Sequence, residues 1–147
     1  GKALTSVDFA NQSYPLTQGM HGFEANMNGR WIESDSEILL RYDGQSELEF
    51  SGYMALPQYY RNADLLAGTV SIAGCPPLPF SFDGPAWKDF RLNLTPCRLV
   101  PGSTLRVRIL LDNTFDLPRL YDQQRAMLLG KIGFSEPRPS GAPSQPE

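Results

Sequence analysis

Apolar and polar residues alternate with a period of two along most of this chain, in short runs divided by Gly, Pro, Asn and Asp. The clearest run follows Ser103: Leu105, Val107, Ile109 and Leu111 point one way while Thr104, Arg106 and Arg108 point the other, the signature of a half-buried strand. A polar turn at 112–114, a loop holding Phe115 and Pro118 and a short charged segment lead to a last run with Ile132 and Phe134 on one face. Two strands joined by an ordered excursion are predicted to form the closing unit of a β-sandwich.

The remaining runs agree with that architecture. Val7 and Phe9 mark an entry strand, and a turn-rich loop over 11–22 delivers Met20, His21 and Phe23 to the next element. Trp31 and Ile32 precede a polar turn at 34–36, after which Ile38, Leu40 and Tyr42 alternate with Glu37, Leu39 and Arg41, so this stretch reads as a hairpin. Asp43–Gly44 is a tight-turn signal, since both residues accept positive φ. Beyond it Leu48, Phe50 and Met54 share one face, with Glu47, Glu49, Ser51 and Tyr53 on the wet one. The stretch 55–68 is irregular and broken by Pro57 and Gly68, which predicts an exposed excursion. Val70 and Ile72, then Phe80 and Phe82, then Phe90, Leu92 and Leu94 mark three further inward-facing runs. Only 120–129 has a helical pattern.

Turn signals at intervals of roughly 8–12 residues predict an all-β fold. The expected architecture is an antiparallel β-sandwich, jelly-roll-like, with eight or nine short strands over residues 1–135. Residues 136–147 are rich in Pro and Ser and form a predicted disordered tail.

Length and charge narrow the classes of function. With 147 residues the chain holds one core. A formal charge of −3 with no basic run gives no footprint for nucleic acid or an anionic membrane. No apolar run approaches the roughly 18 residues a membrane span needs, so no direct membrane insertion is expected. The chain opens at Gly1, and the expected reading is a piece excised from a larger protein.

Catalytic and metal chemistry find little purchase. Cys75 and Cys97 lie 22 positions apart without a Cys-x-x-Cys motif, and His21 is the only histidine, so Cys and His alone cannot assemble a four-ligand zinc site. The two cysteines are either buried thiols or one disulfide between loops at an end of the sandwich. His21 sits in a Gly-flanked setting beside Glu24, which more often belongs to a hydrogen-bonded loop histidine than to a catalytic base. Carboxylate pairs such as Asp64 and Asp83 occur in any acidic domain. No phosphate loop or dinucleotide fingerprint is present. The expected protein is not an enzyme, with no catalytic residue, no metal and no cofactor.

Binding fits better. Sugars are held by aromatic faces together with planar polar groups, and Tyr59, Tyr60 and Arg61 cluster in the predicted excursion. Trp31 beside Arg30 and Trp87 beside Lys88 stand near strand beginnings. Either tryptophan can instead close an end of the core.

The segments GMHGFEANMNGRW, SEILLRY, GTVSIAG and TLRVRILLDNTFDLP, followed by Asp122, Arg125, Leu129, Gly130, Ile132 and Phe134, run through most of residues 19–135. In these the chain resembles a small β-sandwich accessory domain appended to bacterial cell-envelope glycan enzymes, among them membrane phosphoglycerol transferases and glycosyltransferases. It departs from that pattern where Ala126, Met127 and Leu128 separate Arg125 from the Leu-Gly pair. The resemblance implies a non-catalytic, carbohydrate-binding module, periplasmic or otherwise extracytoplasmic. Its partners would be an oligosaccharide or polysaccharide and the catalytic domain of the same chain. The alternative is a structural docking domain for that catalytic domain or a partner protein.

Overall fold

The computed structural model describes residues 3–9, 18–24 (in backbone), 28–54, 66–113 and 126–136. Nine strands follow one another: β1 (Ser6–Asp8), β2 (Gln18–Glu24), β3 (Gly29–Arg41), β4 (Glu47–Tyr53), β5 (Ala67–Ser71), β6 (Leu78–Ser81), β7 (Trp87–Asn93), β8 (Thr104–Leu111) and β9 (Met127–Ser135). Every pairing is antiparallel. The strand order is β6-β5-β8-β3-β9-β4-β7, with β1 on β9 and β2 on β3. The fold is all-β, and the described residues contain no helix.

The sheet doubles over so that its two ends meet through side chains. Phe80 of β6 packs edge-on against Phe90 of β7 at 5.1 Å and against Phe50 of β4 at 5.0 Å, while Phe50 and Phe90 stack at 4.8 Å. Phe82, at the end of β6, closes on Phe90 from the other side. Between the two layers lie the inward sides of the alternating runs, including Ile38, Leu40, Leu48, Val70, Val107, Ile109 and Ile132, all buried. This is the expected antiparallel sandwich, formed by one nearly closed sheet.

β3 holds the layers together, and here the structure departs from the sequence reading. There is no turn at 34–36: the strand runs unbroken for 13 residues. Trp31 and Ile32 pair with Leu128 and Met127 of β9, while Asp35 to Arg41 pair with Leu110 to Thr104 of β8. The polar residues mimic a turn, yet the alternation stays in phase through them, with Ile32, Ser36, Ile38 and Leu40 all buried. β8 and β9 therefore do not pair with one another but clasp β3 from either side.

Three further expectations are corrected. The chain does bend at Asp43–Gly44, with Gly44 at φ 99°. The bend joins no hairpin, however, because β9 separates β3 from β4. Within 120–129, Met127 to Leu129 begin β9 instead of ending a helix: all three pair with β3, and Leu128 and Leu129 pair with β4 as well. His21 lies on β2 and not in a loop. The predicted tail beyond Glu136 lies outside the described residues.

Cys75, in the β5–β6 connection, is disulfide-bonded to Cys97, in the β7–β8 connection. The Arg98 N–H donates to the Gly74 carbonyl at 2.7 Å beside the bridge. Of the two readings open for these cysteines, the structure takes the disulfide.

Candidate functional site

The outer face of the β7-β4-β9-β1 layer is assembled by strand register. On β4 the outward residues are Glu47, Glu49, Ser51 and Tyr53, because Leu48, Phe50 and Met54 take the core. Their partners on β7 are Asn93, Arg91, Asp89 and Trp87. On the other side Ser51 opposes Lys131 of β9, and Lys131 in turn opposes Asp8 of β1. The result is a row across four strands, Asp89–Ser51–Lys131–Asp8. An aromatic pair, Trp87 and Tyr53, lies at one side of it, and the next row holds Arg91 and Glu49. The Lys131 N–H donates to Ser51 Oγ at 3.0 Å, pinning the centre of the row where the β4–β9 register shifts.

Three adjoining depressions of about 310, 380 and 340 Å³ run along this face, and Lys131 lines all of them. The first is bounded by Trp87, Asp89, Ser51, Gly130, Asn28 and Asp8. Trp87 is 41% exposed, although it belongs to a strand. Its indole reaches across β4 to set its benzo edge against two glycines. A Cβ on Gly130 would stand 3.0 Å from Trp87 Cζ3 and 2.7 Å from Ser51 Oγ, and one on Gly29 would stand 3.2 Å from Trp87 Cη2. Tyr53 braces the ring at 5.6 Å with a 50° tilt. Aromatic rings often cover glycines in sheets for stability alone. Here the two glycines leave room for the edge of the ring, while the residue stays 41% exposed.

Charge is unevenly committed. Arg91 bonds Glu47 at 2.9 Å and Glu49 at 3.1 Å. The hydrogen bond it donates to Glu47 and then the charge of Glu49 raise its pKa above the ordinary arginine value. Lys88 points away from the cleft, donating to the Ser81 carbonyl and Asp83 and lying 5.2 Å over the Phe90 ring. The outer face of the opposite layer carries its own pairs, Arg108 with Asp35 at 2.6 Å and Arg106 with Glu37 at 3.5 Å. Arg108 is likewise raised, first by the hydrogen bond to Asp35 and then by its charge.

Of the residues singled out in the sequence, Trp87 lines the cleft. Trp31 does not: it is partly buried and packed against the core, in register with Leu128. That is the core-closing role one of the two tryptophans was open to, and the two must be read separately. Tyr59, Tyr60 and Arg61 lie outside the described residues. The disulfide of Cys75 and Cys97 ties the loop ends and is not part of the cleft. Among the described residues no three His, Cys, Asp or Glu side chains gather as a metal site.

The residues missed at first are Asp8, Ser51, Tyr53, Asp89, Gly130 and Lys131. Alternation had put Ser51 and Tyr53 on a wet face, the one available signal. Nothing local brings the others together, because they come from three different strands.

No family model matches the chain, and no curated protein matches it. Among solved structures it is similar to part of a family GH115 4-O-methyl-α-glucuronidase with specificity for decorated arabinogalactans, at 13% identity and a TM-score of 0.49, covering 94% of this chain and 18% of that one. It is also similar to part of a ruminal GH26 endo-β-1,4-mannanase, at 10% identity and a TM-score of 0.46, covering 95% of this chain and 27% of that one. Both are carbohydrate-active enzymes, and the chain spans less than a third of either.

Proposed function

We propose that this domain is a non-catalytic module that binds a carbohydrate chain along the outer face of the β7-β4-β9-β1 layer, serving a larger glycan-modifying or glycan-synthesising enzyme of the cell envelope. The observation that supports the reading is the Trp87 indole, braced by Tyr53, its benzo edge against Gly29 and Gly130 and the residue 41% exposed in a polar cleft. A pyranose presents a C–H face that stacks on such a ring and a rim of hydroxyls that needs donors and acceptors. Ser51, Asp89 and Lys131 supply both within one depression. The open cleft offers few contacts, so affinity is modest. The Cys75–Cys97 bond favours an oxidising, extracytoplasmic compartment. The resemblance to accessory domains of envelope glycan enzymes points the same way.

Calorimetry of the purified domain against glucans and envelope oligosaccharides tests the reading. Heat of binding whose affinity Trp87→Ala lowers by about 2 kcal/mol, with no turnover of any ligand, is the expected outcome. Silence across the panel would move the assignment to a docking domain for a catalytic domain or partner protein. Hydrolysis or transfer by the purified domain would overturn its non-catalytic status.

A further inference from the structure

We infer that the Trp87 cleft takes uncharged sugars and rejects acidic ones. The inference rests on the glycan-binding reading and adds the charge class of the ligand.

Register decides the electrostatics of the cleft. Across the sheet the order is Asp89, Ser51, Lys131, Asp8, so the ammonium opposite Ser51 has a carboxylate on the next strand and another two strands away, at spacings of about 4.8 Å per strand. Arg91, the second cation among the described residues that line this face, is bound by both Glu47 and Glu49. Among the described residues four carboxylates thus stand against two cations on this face, with no cationic surplus. Asp89 also lies two residues along β7 from Trp87 on the same side of the strand, about 6.8 Å away along the backbone. A sugar stacked on the indole therefore projects its neighbour over Asp89. There a hydroxyl donates to the carboxylate, whereas a uronate or phosphate meets like charge. Tight recognition of an acidic glycan would call for an uncommitted guanidinium fork, and Arg91 is already engaged by its two glutamates.

The test is titration of the domain with neutral hexose pentasaccharides (β-1,4-glucan, α-1,4-glucan and β-1,3-glucan) and with oligogalacturonate of the same length, at low ionic strength. At least one neutral series is expected to bind, with the uronate roughly tenfold or more weaker. That gap should shrink in about 0.5 M salt, where the screening length falls to a few ångströms. Asp89→Asn, isosteric and at an exposed position, should also shrink it without changing the circular dichroism spectrum. Uronate binding as tightly as the neutral series overturns the inference and leaves the glycan reading standing, as does a gap that Asp89→Asn leaves unchanged. No binding by either series removes both.

Discussion

Trp87 is a surface residue whose position is set by what its neighbours lack. Gly29 and Gly130 have no Cβ, so the benzo edge of the indole fits against them while the residue stays 41% exposed. Trp87→Ala should cost about 2 kcal/mol of glycan affinity by calorimetry. Because the ring also pairs with Tyr53, stability should fall by only about 1 kcal/mol in a thermal melt. Trp87→Phe, which keeps an aromatic face, should retain part of the affinity. Ser36 presents the opposite case: its hydroxyl is buried in β3 with no hydrogen-bond partner among the described residues. Leaving a buried hydroxyl unsatisfied costs about 1–3 kcal/mol. Ser36→Ala should therefore raise the melting temperature, and a lowered one would point to a partner for that hydroxyl.

At the scale of elements, β9 is the busiest strand, with β3 and β1 along one stretch or another and β4 along nearly its whole length. Its seat for β1 depends on Gly133, where a Cβ would collide with the Cα and Cβ of Ser6. Those are main-chain and near-main-chain atoms that cannot swing aside. Gly133→Ala should then displace β1, breaking the bond from the Phe134 N–H to the Thr5 carbonyl, and cost about 1–3 kcal/mol. Denaturant unfolding would measure the loss, and faster amide exchange confined to β1 and its partners would locate it. The misreadings fall on the same elements. β3 looked like a hairpin because Ser34, Asp35 and Ser36 are polar, but a strand that passes between two layers has no continuous apolar signature. The Ala126–Met127–Leu128–Leu129 run looked helical because a strand buried on both faces shows no alternation; all four residues are in fact buried.

For the whole molecule, the disulfide clips the β5–β6 connection to the β7–β8 connection at one end of the sandwich. Closing a loop with a separation of 22 residues is worth about 3 kcal/mol in the chain-entropy account. The Cys75→Ala, Cys97→Ala double variant should show that loss in urea unfolding, and reductant should destabilise the parent protein but not the variant. Most of the fold was legible from local pattern. A period of two forces residues such as Leu48 and Phe50, or Val107 and Ile109, to one side of their strands, so strand identity and the inward faces follow from the chain alone. Pairing was not legible, since neither the Asp43–Gly44 bend nor the order of β8 and β9 says that β9 lies between β3 and β4, or that β8 and β9 clasp β3. Strand order depends on which apolar faces fit together across the core, a relation among residues far apart in the chain. The cleft inherits that dependence. Trp87 could be proposed from its type, but its alignment with Asp89, Ser51, Lys131 and Asp8 exists only once four strands share one register.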